Sequence, residues 1–123
     1  MVLLNKAKEV QDIINHATGT TQYHRFSTLP CFPIITDGVL AVAKSAECFW
    51  LLDVIGSYQH DPKLDKEFQV WKLEVNKDND SGVVHGYNDT TLIITQNIPY
   101  TDFPLDKITL YLIDKIILLP SEY

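Results

Sequence analysis

At Glu67 the period of the chain changes, and this switch limits the fold more than any other feature of the sequence. Before it, apolar residues recur at helical spacing; after it, they alternate every second position. In FQVWKLEV, Trp71, Leu73 and Val75 share one face while Lys72 and Glu74 share the other. The pattern continues through GVVHGY, TTLIITQ, ITLYLI and the wholly apolar IILLP. NKDNDSG, Asn88-Asp89 and Asp114-Lys115 supply turns between these runs, and the proline-containing NIPYTDFPLDK reads as a loop. Helices first and strands afterward is an α+β order. The expectation is two to three N-terminal helices packed on a four- to five-stranded antiparallel sheet formed by the C-terminal half, residues 67–119.

The N-terminal half divides at its prolines and glycines. Residues 3–14 place Leu3, Ala7, Val10 and Ile14 on one helical face, with Lys6, Lys8 and Glu9 outside, and this helix should stop near Gly19. TTQYHRFS is polar and aromatic, and PCFPIIT, with Pro30 and Pro33, cannot be helical. Asp37 reads as the N-cap of DGVLAVAKSAE, since a short polar side chain there satisfies an orphan amide. A break between Ser45 and Cys48 separates this helix from FWLLDVIGSYQH, which Asp61-Pro62 closes. With no repeat, low-complexity tract or linker, residues 1–123 read as a single domain.

Composition excludes several function classes. A net charge of −6 with a single arginine, Arg25, leaves no basic stripe to displace counterions, so nucleic-acid binding is not expected. The acids are too scattered to mimic a nucleic-acid backbone. No apolar run approaches a membrane span, and MVLLNKAKEV lacks a signal-peptide core, which makes the cytoplasm the expected compartment. Cys31 and Cys48 are accordingly expected as thiols.

FWLLDVIGSYQHD brings an acid, a hydroxyl and an imidazole onto one helix. On a helical wheel Asp53, Ser57 and His60 form a stripe with Phe49 and Trp50, opposite Leu51, Val54, Ile55 and Tyr58. A serine-type triad needs the imidazole between hydroxyl and carboxylate. Here the hydroxyl is in the middle, and Asp53 and His60 are roughly 10 Å apart along the axis. The stripe is not a triad. His16, His24, His60 and His85 have no ligand spacing, so no metal is expected, and no cofactor follows from the absent glycine-rich phosphate motifs. Cys48, at a helix start, reads either as a low-pKa thiol or as a small buried hydrophobe.

Arg25 stands in an aromatic setting, Tyr23-His24-Arg25-Phe26. A structural role pairs it with a carboxylate, Asp53 before Asp37, and predicts that Arg25→Ala costs on the order of 2–4 kcal/mol if that pair is buried. The sharper role grips an anionic ligand, with His24 helping and Tyr23, Asp37 and Asp53 around it.

GTTQYHR, ITDGVLAVAKSAECFWLLDVIGSYQ, EFQVWKLEV and YTDFPLDKITLYLIDKIILLPSEY together resemble a bacterial family of uncharacterised single-domain proteins met on cyanobacterial and other chromosomes, plasmids and phages. Relatives tend to carry Gly or Ala where this chain has residues 45–48, and Asn-Gly where it has Asp114-Lys115. The resemblance implies one compact domain and carries no catalytic residues.

Two functions remain. The first is a non-enzymatic accessory or protein-interaction protein that self-associates, with Phe49, Trp50, Tyr100 and Phe103 as interface anchors. The second is a small enzyme or anionic-ligand-binding domain with a pocket around Arg25, His24 and Asp53. The C-terminal strand favours the first. Ile116, Ile117, Leu118 and Leu119 ask for cover on both faces of the sheet, and helices cover only one. A homodimer burying the outer face, with Trp71 or Tyr111 in the contact, is therefore expected.

Overall fold

A computed structural model describes residues 2–123, and the side chains of residues 5–123. Leu3, expected on the inner face of the first helix, has its side chain outside that description. The helices are α1 (Val2–His16), α2 (Asp37–Ser45) and α3 (Phe49–Ser57). The strands are β1 (Tyr23–Arg25), β2 (Ile34–Thr36), β3 (Phe68–Asn76), β4 (Ser81–Asn88), β5 (Thr91–Ile98), β6 (Lys107–Ile113) and β7 (Ile116–Leu118). A 3₁₀ turn, Pro120–Glu122, follows β7.

The chain is α+β, with the long strands where the period switch put them. The sheet differs from expectation: it is seven-stranded and mixed, in the order β1-β2-β7-β6-β3-β4-β5. The two unforeseen strands come from the segment between α1 and α2, one on each side of Pro30 and Pro33. Each is three residues long, too short for alternation to register in the sequence. β2 runs parallel to β7, with Ile34 opposite Ile116, and the Ile34 amide also donates to Lys115 O at 3.0 Å. β1 pairs antiparallel to β2, and every other pairing is antiparallel.

Turn chemistry explains the long hairpins. Asp114 and Lys115 both have positive φ, 50° and 69°, the primed-turn geometry that matches strand twist. The earlier hairpin turns one residue later than expected. Asn88 still pairs with Thr91 inside the ladder, and Asp89, at φ 54°, opens the turn.

Helices cover one face of the sheet. Val10 of α1, Val39 and Val42 of α2, and Leu52 and Ile55 of α3 meet Trp71, Leu73, Ile108, Leu110 and Leu112 from the strands. A polar clasp ties the residues just beyond α3 to β3. Gln59 and Gln69 exchange amide hydrogen bonds at 2.9 and 3.0 Å, and the Trp71 indole donates to Gln69 Oε1 at 2.8 Å. Their remaining N–H groups reach Ile55 O and Asp65 O, so this buried network leaves no donor unpaired. Gly86 faces the Trp71 ring across β3 and β4. A Cβ there would sit 2.7 Å from the indole, so only glycine admits it.

Candidate functional site

Polar side chains converge at the N-terminus of α2. The cap is Thr36, not the expected Asp37: Thr36 Oγ1 accepts from Val39 N, and Asp37 is the first helical residue. A local capping box would need an acid at position 39, where this chain has valine. Glu122 supplies the carboxylate from the far end of the chain. It accepts from Thr36 Oγ1 at 2.6 Å, Leu119 N at 2.9 Å and Gly38 N at 3.3 Å. Gly38 permits this approach, since a Cβ there would lie 2.9 Å from the Glu122 carboxyl. The position of a carboxylate over exposed helical amides is also favoured by the helix dipole.

Asp37, freed from capping, faces the chain before β1. Its Oδ2 accepts from Thr21 N and Thr21 Oγ1, both at 3.0 Å, and its amide donates to Thr20 Oγ1 at 2.9 Å. His24 Nε2 lies 2.7 Å from Asp37 Oδ1, and the ionised carboxylate makes the imidazole the donor. The His24 bond and the Thr21 amide hold the Asp37 carboxyl well below the usual carboxylate range. So strongly stabilised an anion is a poor proton acceptor near neutral pH and acts as an anchor.

Arg25 does not join this cluster. Strand alternation sets His24 opposite Ile35 on the helix side, whereas Arg25 opposes Ile34 on the open face. Arg25 is exposed and has no ion pair among the described residues, with Asp53 or with Asp37. Asp53 is exposed on α3, and Ser57 Oγ donates back to Val54 O at 2.7 Å, as an isolated helical serine does. Tyr23, His24 and Asp37 therefore lie near one another, while Arg25 and Asp53 do not complete a pocket. Cys48 precedes α3, but burial pushes its thiol up to about 12, with the Asp102 charge adding to the effect. The buried-hydrophobe reading of Cys48 is the one its surroundings fit.

A groove of about 250 Å³ lies beside the cluster, lined by Tyr23, Ile113, Asp114, Ile116, Leu118 and Tyr123 with Thr20, Thr36 and Glu122 at its polar end. The charged side chains of its lining are the carboxylates of Asp114 and Glu122, which repel an anion rather than bind one.

The groove opens onto the sheet face that the helices leave bare. There Phe68, Tyr111 and Tyr123 form an aromatic triangle with ring centroids 5.4, 5.8 and 6.3 Å apart. Half-buried Ile34, Val70, Ile113, Ile116 and Leu118 extend it across β2, β7, β6 and β3. Tyr111 lies on this bare face, as alternation along β6 requires. Trp71 and Phe103, also expected at an interface, are each 1 % exposed and present no surface. Strand parity turns Trp71 inward, and the 99–106 loop carries Phe103 into the core, with its carbonyl held by Lys77 Nζ at 2.6 Å. Phe49 and Tyr100 are exposed and Trp50 is half-buried, none of them on this face. Tyr123 and Phe68 were not legible as contact residues, because only the pairing of β3 with β6 and the final turn bring them to Tyr111.

No helix among the described residues is long and apolar enough to cross a membrane. Neither a curated protein nor a solved structure matches the chain. Residues 8–123 do match a family model described as a family of unknown function, and the chain belongs to that family, DUF6876.

Proposed function

We propose that the chain is a non-enzymatic protein-interaction protein that self-associates in the cytoplasm, with a second copy covering the open face of its sheet. The apolar strip over β2, β7, β6 and β3 carries this reading. Phe68, Tyr111 and Tyr123, beside four isoleucine and leucine side chains, leave a contiguous patch at the water interface. Aromatic residues flanked by aliphatic ones are the composition of interface cores. A two-fold axis lying in the sheet plane would set the same strip from each copy against the other.

Static light scattering across a dilution series tests the reading, with Ile116→Lys and Tyr123→Ala as variants. Tyr123 is 76 % exposed, so its truncation leaves the fold intact. The expected result is an assembled wild type whose face variants lose subunits at the same concentration. Face variants that match the wild-type mass would reject the open face as the contact.

A further inference from the structure

The two edges of the sheet are built differently, and the β5 edge has the chemistry of an unfinished ladder. Which of its backbone groups point outward follows from the register. Val75 N donates to Asp106 O, so the odd residues of β3 bond to β6 and the even ones to β4. Through the pairs Lys72–His85 and Glu74–Val83, the odd residues of β4 face β3, which leaves the even ones for β5. The tight turn after Asn88 agrees, since Asn88 opposite Thr91 must be a hydrogen-bonded pair. Ile94, Gln96 and Ile98 then bond to β4. Thr95 and Asn97 direct both their N–H and C=O groups away from the sheet. β5 ends the strand order, and among the described residues no other hydrogen bond reaches these groups.

Proteins ordinarily blunt such an edge with charge, proline, a short strand or a covering loop. β5 has none of these, and its bulge, at Ile93, lies toward the turn and leaves the stretch from Ile94 to Ile98 regular. TLIITQNI is eight residues long, carries no charge and no proline, and leaves Leu92, Thr95 and Asn97 exposed. All the acids of a chain with net charge −6 fall outside it, so two copies can bring these strands together without like charges meeting. The edge is also self-complementary. A two-fold axis through Gln96, perpendicular to the sheet, sets Thr95 of one copy against Asn97 of the other as hydrogen-bonded pairs. It also sets Ile94 against Ile98 on the helix side. Those two are the least buried members of the core, at 8 % and 9 %, and a second copy would finish covering them.

We infer that β5 is a second, independent self-association site, where two copies pair edge to edge and continue the sheet antiparallel. The inference does not rest on the open-face contact. Both open faces stay on the same side of the joined sheet, so edge pairing widens that surface and does not compete for it.

The test is the solution mass of the full chain by static light scattering, for the wild type, Thr95→Pro, Thr95→Lys and Ile116→Lys. Proline at 95 removes an N–H that β4 does not use, so the fold tolerates it, and circular dichroism with a melting curve checks that. Lysine at 95 keeps the backbone and places charge on the edge. Edge pairing predicts a dissociation constant about 100-fold weaker in Thr95→Pro, from lost ladder bonds in both copies. With edge and face both in use, the wild type is a tetramer, or larger where the two axes do not meet, and either class of variant leaves a dimer. With the edge alone in use, the wild type is a dimer, Thr95→Pro a monomer, and Ile116→Lys still a dimer. A Thr95→Pro mass equal to the wild type's, or a wild type that stays one chain at every concentration, overturns the inference.

Discussion

The two ends of the sheet hold together by different means. At one end β1, β2 and β7 are three residues each; β2 and β7 send only Ile35 and Ile117 into the core, and β1 sends no apolar side chain there. Side chains reaching the backbone supplement that packing: Asp37 clamps the approach to β1, and Glu122 ties the C-terminal turn to α2. At the other end β3, β4 and β5 are eight or nine residues each and join through short turns. Their inward residues pack on the helices, and no ion pair among the described residues lies there. The lesson concerns edges. The short end is finished by Arg25, prolines and its own anchors, whereas the long end stops at bare backbone.

If the long end rests on packing, the largest loss should come from its centre. Trp71→Ala should cost about 3–5 kcal/mol, because it empties a large buried volume and strips Gln69 of a partner. Urea denaturation measures it; a loss under about 1 kcal/mol would mean that the core closes around the gap.

The short end should yield smaller but coupled effects. Glu122→Ala should cost about 1–3 kcal/mol, through three hydrogen bonds lost at once. Gly38→Ala should push the flexible Glu122 carboxyl off its amides, a loss that alanine's better helix propensity partly offsets, so the net cost should be under about 1 kcal/mol. In the double variant the clash disappears with its target, so the two losses should not add. Additive losses would show that the carboxylate does not sit over Gly38.

Asp37 should contribute a pH-dependent share. Its carboxyl lies below the ordinary value when folded, so its stabilisation is complete above the unfolded value of about 4 and fades as pH falls below it. Asp37→Asn should therefore melt lower than the wild type at pH 7, with the gap closing in acid. The side chain is partly solvated, and screening keeps the effect modest. A gap that widens in acid would contradict the clamp.

Legibility in the sequence follows the same division. The long strands and the Asp114-Lys115 turn were readable because period-two patterning and turn residues are local signals. β1 and β2 were not, since a strand of three residues takes its register from β7, far along the chain. The site divided likewise. Tyr111 could be placed on the outer face from alternation alone. Thr36, Glu122 and Tyr123 could not, because the carboxylate that completes the α2 cap is 86 residues away from it along the chain. Arg25 misled for a related reason: its aromatic neighbours suggested burial, but alternation in a strand too short to detect turned it outward.

The smallest effect expected is therefore at Arg25. Arg25→Ala should change stability by no more than about 0.5 kcal/mol, as at an ordinary surface site, in place of the 2–4 kcal/mol that a buried pair implies. A larger loss would mean that the short end has an anchor beyond Asp37 and Glu122.

Amide hydrogen exchange along β5 tests most directly whether the long end is completed by a second copy. Gln96 N–H bonds to β4 and should be protected at any concentration, whereas Thr95 and Asn97 N–H have no partner among the described residues of one chain. With edge pairing, Thr95 and Asn97 exchange slowly in concentrated protein and lose that protection on dilution, while Gln96 keeps it. Fast exchange at Thr95 and Asn97 at every concentration would contradict it.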